Sequence, residues 1–255
     1  MEYMPCGSLA QFLDDDSLRP FMLIYLRIFY ELASALAFIH NLPAPCRVVH
    51  GDLKPENVLL TSELHCKLSD FGSSQMVALT GLTTSQSAIT NKLDMTLAYA
   101  PPEKLESLNI KPRKEQDTYS FGMILYTILS GSPPYRHSSF ESTFKELIMD
   151  GKRPDEASID ELRATLSEPQ QQILDVLRSK MRKCWAQVSS DRPSMLDVQN
   201  DLQTFLAQKS EDEIAKEAEK IFNCSHIKPN LPNKDQEPLQ PLQDFSPKDG
   251  RFVQG

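Results

Sequence analysis

The chain has 255 residues, with 27 Lys and Arg against 35 Asp and Glu for a formal net charge of −8, a balance that disfavours binding to a nucleic-acid phosphate backbone. Only 9 glycines occur, and no two are separated by a single residue. That excludes the dinucleotide fingerprint and the Walker loop, because both need clustered glycines to bring backbone N–H groups against phosphate.

In chain order, Ser8 and Gln11 form a capping-box pattern that predicts a short helix, and Leu18 to Ile39 predicts a long one. Within it, Phe21 to Ile39 imitates a membrane span, but Arg27 and Glu31 lie near its middle. A charge there costs roughly 2.5–3.5 kcal/mol on insertion scales, so the stretch reads as a buried core helix. Between Arg47 and Ser69 the pattern turns to short β-rich pieces: Arg47-Val48-Val49, Val58-Leu59-Leu60 and Cys66-Lys67-Leu68. Asp117 to Leu129 is almost wholly apolar after its first turn, as a helix buried on most sides must be. Pro169 fits the first turn of another helix, and Ser194 with Asp197 caps a helix running through Phe205.

Further on, Ser210 with Glu213 caps a charged helix whose Ile214, Ala218, Ile221 and Phe222 share one face, a docking stripe rather than a core helix. From His226 onward periodicity vanishes, and Pro229, Pro232, Pro238, Pro241 and Pro247 crowd the final stretch, which predicts a disordered tail. The expected organisation is a body over 1–207, a helical extension over 208–225 and a tail over 226–255. The 5 cysteines are odd in number, spread out and free of any C-x-x-C pair, which argues against zinc and disulfides and for a reducing, cytoplasmic setting. No signal peptide is visible at the start, so the sequon Asn223-Cys224-Ser225 reads as chance.

The chemistry concentrates in His50-Gly51-Asp52-Leu53-Lys54-Pro55-Glu56-Asn57, followed by Asp70-Phe71-Gly72. Asp-Phe-Gly alone is weak, but together with an Asp and an Asn at this spacing on a loop between β pieces it resembles the protein-kinase family. Tyr99-Ala100-Pro101-Pro102-Glu103, Asp117-Thr118-Tyr119-Ser120-Phe121-Gly122 and Cys184-Trp185 with Asp191-Arg192-Pro193 extend the resemblance in order to about Phe205. It implies an α+β protein-kinase fold, restricted to the mainly helical C-terminal lobe, with a short β-hairpin region around the catalytic loop. Phosphoryl transfer asks for positioning and charge neutralisation rather than covalent work. On the resemblance, Asp52 accepts a hydrogen bond from the attacking hydroxyl, and Lys54 offsets charge on the transferred phosphate. Lysine at that position is similar to serine/threonine rather than tyrosine kinases. Asn57 and Asp70 match the family's Mg2+ ligands, hard oxygen donors as magnesium requires. Glu2, Met4, Leu59 and Ser69 are implied as ATP contacts, and Arg192 is implied to pair with Glu103. Asp117 matches the aspartate that braces the catalytic loop, and Trp185 reads as a packing residue.

Two departures stand out. Gly51 replaces the arginine that in the family gathers a phosphorylated segment, so control through that clamp is not expected. Thr83, Thr84, Ser85, Ser87 and Thr90 read equally as phosphosites or as a solvated loop. Met1-Glu2-Tyr3-Met4 resembles the hinge between kinase lobes, and the family's glycine-rich loop, strand lysine and helix glutamate have no counterpart in residues 1–255. The expectation is a lobe fragment, weak or inactive alone, whose parent phosphorylates protein Ser/Thr hydroxyls. His-Gly-Asp, Asn109-Ile110-Lys111-Pro112, Gly151-Lys152-Arg153-Pro154-Asp155 and the helix after Ser210 resemble the receptor-interacting kinases within the tyrosine-kinase-like branch. The expected partners are protein substrates and signalling-complex proteins, with neither nucleic acid nor a membrane span. The alternative is a non-catalytic docking module of pseudokinase type, motivated by the absent lobe and the amphipathic helix.

Overall fold

A computed structural model describes residues 4–43, 46–71, 75–76, 97–107, 110–136 and 141–225. Helices dominate it: α1 (Leu9–Leu13), α2 (Met22–His40), α3 (Pro102–Glu106), α4 (Lys114–Ser130), α5 (Glu141–Met149), α6 (Ala157–Thr165), α7 (Glu168–Cys184), α8 (Met195–Leu206) and α9 (Glu211–Cys224). Four short strands, β1 (Val48–Val49), β2 (Val58–Leu60), β3 (Cys66–Leu68) and β4 (Gln75–Met76), make two antiparallel pairs. One pair joins β1 to β4 and the other joins β2 to β3.

Local signals account for where four of the nine described helices begin. Ser8 accepts from the Gln11 amide and Gln11 reaches back to the Ser8 amide, so α1 opens with a complete capping box. The same reciprocal pair occurs at Ser167 with Gln170 and at Ser210 with Glu213. Ser194 caps α8 by accepting from the Asp197 amide. Pro169 lies in the first turn of α7, where its missing N–H has no helical partner to lose. The long second helix starts later than its apolar pattern suggests. Residues Asp16–Leu18 instead form a 3-10 turn capped by Asp15, and Pro20, with no N–H of its own, separates that turn from Met22.

The core is built by α2 against α8 and by α4 against α7, with α2 also touching α7 and β3. In α4 every residue from Gln116 to Ser130 is buried, so this helix is the central post of the domain. It ends at Gly131, whose φ of +70° supplies the left-handed cap that stops the ladder. Length and apolar composition would let α2 cross a membrane, with a mean hydropathy of 1.7, yet 72% of that stretch is buried within the protein. Its apolar surface is spent on the core.

The stripe on α9 is covered too. Ile214, Ala218 and Ile221 are buried in the same core as α2, and Glu217 Oε2 accepts the Ile24 amide at 2.8 Å in the first turn of α2. That turn has no acidic residue and its N-cap, Phe21, offers no side-chain hydrogen bond. A carboxylate from another helix therefore does the capping that α2 cannot do for itself. The tail expected over 226–255 lies outside the described residues.

The strands matter for where they hold the loops. Residues 50–57 run from the end of β1 to the start of β2, and Ser69 to Phe71 follow β3. In the β2–β3 ladder Val58 opposes Leu68, Leu59 opposes Lys67 and Leu60 opposes Cys66. The β2–β3 hairpin thus brings the segments that flank it, 50–57 and 69–71, side by side, with the Ser69 amide donating to the Asn57 carbonyl.

Candidate active site

The loop of residues 50–57 hangs from α4. Asp117 Oδ2 accepts the His50 amide and Oδ1 accepts the Gly51 amide, both at 2.8 Å. Asp117 Oδ2 also meets His40 Nε2, at the end of α2, at 2.7 Å. The His50 and His40 contacts are buried and the Gly51 contact is partly so, with the Asp117 side chain 1% exposed. His50 links the loop to the strand beyond it. Its Nδ1 accepts the Asp52 amide at 3.3 Å and its Nε2 lies 2.9 Å from the Ser69 carbonyl oxygen. Only the tautomer with hydrogen on Nε2 satisfies both contacts. Phe71 meets the His50 ring edge-on at a centroid distance of 5.2 Å, which ties Asp70 and its neighbours to the same loop.

On this frame Asp52, Lys54 and Asn57 converge. Lys54 Nζ donates to Asp52 Oδ2 at 2.8 Å. The 3-10 turn Pro55–Asn57 curls the chain back, so Asn57 Nδ2 donates to the Asp52 carbonyl at 2.8 Å and to Oδ2 at 3.2 Å. Asp52 and Lys54 keep 15% and 19% of their side-chain surface open, enough to meet a substrate at a partly dry mouth. Ser69 donates through both its amide and its hydroxyl to the Asn57 carbonyl, at 2.9 and 3.0 Å. Asp70 follows with φ +59°, the left-handed region that a non-glycine residue enters only when its surroundings hold it there.

The expected nucleotide contacts divide. Leu59 lies in β2, bridged to Ser8, and Met4 starts the segment that runs beside β2, with Cys6 donating to the Leu60 carbonyl and Leu60 to the Gly7 carbonyl. Leu59, Ser69 and Asn57 thus belong to one neighbourhood with Asp52. In Ser69 the hydroxyl is engaged with Asn57. Glu2 lies outside the described residues, as do Gly72 and the hydroxyls Thr83, Thr84, Ser85, Ser87 and Thr90.

Asn57 and Asp70 fit a magnesium ion by the chemistry of their donors. The Asn57 amide nitrogen is committed to Asp52, so the oxygen is the branch left to face a cation, and Asp70 adds a carboxylate. Two such oxygens beside phosphates and water are what a reluctantly dehydrated ion takes.

Lys104 was not singled out by any sequence pattern. It projects from α3 to donate to the Gly51 carbonyl at 2.5 Å. Burial lowers its pKa, against the pull of Asp52 and Asp117, which favour the charged form. The adjacent residue, Glu103, forms a two-pronged ion pair with Arg192 at 2.7 and 2.9 Å, the pairing implied by the family resemblance. Arg192 also donates to the carbonyls of Ala186, Glu115 and Gln187. Its guanidinium lies 5.0 Å from the centre of the Tyr119 ring. Trp185 packs, 5% exposed, beside Tyr126.

Comparison with known proteins agrees with this geometry. Residues 1–203 match the protein kinase domain family. The chain is 34% identical over 198 residues to the ankyrin repeat and protein kinase domain-containing protein 1 of Mus musculus, covering 78% of this chain and 25% of that protein. It is 32% identical over 201 residues to receptor-interacting serine/threonine-protein kinase 3 of Rattus norvegicus, covering 78% and 39%. With receptor-interacting serine/threonine-protein kinase 1 of Homo sapiens it shares 27% over 228 residues, covering 87% and 32%. The chain therefore spans between a quarter and two fifths of the length of these relatives.

Proposed function

Because the chain belongs to the protein kinase family, with receptor-interacting kinases among its relatives, we propose that it is the catalytic-loop half of a serine/threonine protein kinase acting in cytoplasmic signalling. The observation that carries this reading is the Asp52, Lys54 and Asn57 cluster, held on a loop whose backbone amides are clamped by a buried aspartate. Mg-ATP, when bound, supplies the γ-phosphoryl group and the cation that screens its charge.

Each residue has a task that its surroundings suit. Asp52 accepts the hydrogen bond of a Ser or Thr hydroxyl and orients its lone pair. Lys54, already 2.8 Å from Asp52, keeps an ammonium where negative charge develops. Asn57 and Asp70 would hold the metal, and Met4, Leu59 and Ser69 would lie against the nucleotide, the role the family resemblance also gives Glu2. A glycine-rich cover and a strand lysine, which the family uses over ATP, do not occur in residues 1–255. The docking-module reading draws less support, since the stripe of Ile214, Ala218 and Ile221 that motivates it is buried against the protein's own core.

The test joins a kinase amino-terminal lobe to residue 1 and measures transfer of labelled phosphate to a protein substrate, with and without Asp52→Asn. Transfer that depends on Asp52 and yields phosphoserine or phosphothreonine is the expected result. Equal transfer in both proteins, or phosphotyrosine alone, would sink the reading.

A further inference from the structure

The peptide unit between Gly51 and Asp52 is held at both ends. Its oxygen accepts from Lys104 Nζ at 2.5 Å, and its N–H donates to His50 Nδ1 at 3.3 Å. Because a peptide unit is planar and stiff, fixing those two atoms fixes the plane from which the Asp52 side chain departs. Gly51 itself sits at φ +79°, where an unbranched residue without Cβ turns most easily, so nothing in its own side chain holds that turn.

We infer that Lys104 is a positioning residue for Asp52, the link through which α3 sets the orientation of the carboxylate that receives the substrate hydroxyl. The two neighbouring residues of α3 are anchored in different directions: Glu103 to Arg192, and Lys104 to the loop. A shift of α3 therefore tugs the Gly51 carbonyl and tilts the plane before Asp52. The family's arginine is absent at residue 51, and a lysine from another element brings positive charge to the same stretch of loop. That lysine donates to this carbonyl, and a buried ammonium is costly to leave without such an acceptor. The inference rests on reading Asp52 as the acceptor of the hydroxyl.

The test uses the 255-residue chain, labelled with carbon-13 and nitrogen-15, and three variants: Lys104→Met, Lys104→Gln and Lys104→Arg. In Lys104→Met the Asp52 amide should exchange about tenfold faster, and the Gly51 carbonyl resonance should move away from its hydrogen-bonded position. Lys104→Arg, which keeps a charged donor, should restore both. Unchanged exchange in Lys104→Met, or no rescue by arginine, overturns the inference. If Lys104→Met also loosens α3, the Gln and Arg variants decide: faster Asp52 exchange in Gln than in Arg supports the link, and equal rates overturn it. In the protein completed with an amino-terminal lobe, Lys104→Met should lower kcat and leave the KM for ATP unchanged, and the reverse split would overturn the inference. Failure to see any Asp52-dependent transfer would remove the kinase reading alone, because the exchange measurement does not depend on it.

Discussion

Asp117 and Gly51 meet at 2.8 Å, carboxylate to amide, across 66 positions of chain. The same carboxylate takes the His50 amide and the His40 ring, so one buried side chain carries the whole front of the catalytic loop. Replacing Asp117 by Asn turns one acceptor into a donor that must face a donor. Asp117→Asn is expected to cost about 2–4 kcal/mol of unfolding free energy, measured by urea denaturation. A change below roughly 0.5 kcal/mol, the range of an ordinary surface substitution, would mean the loop is held by something else.

Arg192 illustrates why guanidinium is not interchangeable with ammonium. It answers Glu103 with two parallel bonds and also reaches three backbone carbonyls, while lysine has one compact head for all of them. Arg192→Lys should destabilise the protein by roughly 2–4 kcal/mol. Thermal unfolding followed by circular dichroism checks it, with an unshifted midpoint counting against the clamp.

Glu217 makes stability depend on pH. Burial pushes its carboxyl up to about 7, outweighing the amides of Ile24 and Leu23 and the charges of Lys220 and Arg27, which favour the ionised form. Between the ordinary value of 4.5 and about 7 the folded protein holds a proton that the unfolded chain has released. Stability from this site is therefore greatest at low pH, falls as pH rises through that window and levels off above it. Glu217→Gln keeps an oxygen for the Ile24 amide and removes the charge. It should raise stability at pH 8 by roughly 1–3 kcal/mol relative to the native residue and change little near pH 4.5. Denaturant titrations at the two pH values test this, and a parallel loss at both would contradict it.

Gly122 packs α4 tightly against the end of α7. An added Cβ would lie 3.0 Å from both Cys184 Cβ and Trp185 N, and 3.2 Å from the Met181 carbonyl. Two of those neighbours are backbone and cannot rotate away. Gly122→Ala should therefore cost about 1–3 kcal/mol, despite the better helix propensity of alanine. A gain in stability would show that the two helices separate more readily than their packing suggests.

What the residues alone determined was what lies within a few positions of chain. Ser8, Ser194 and Ser210 announced their helices because a cap and its partner sit three residues apart, and Pro169 needed only its own missing N–H. The Asp52, Lys54 and Asn57 pattern was readable for a similar reason, since one short loop holds it at the spacing the family resemblance rests on. The short helices α3, α5 and α6 and the two-residue strand β4 carried too few turns or alternations to be distinguished from loop.

The tertiary structure decided which charged residues are spent inside. Lys104 and Glu217 look like solvated helix residues by sequence. Only the packing of α3 against the catalytic loop, and of α9 against α2, delivers one to the Gly51 carbonyl and the other to the Ile24 amide. The stripe on α9 is local and readable, but the surface it covers is not, because amphipathicity specifies that a face must be buried without specifying against what.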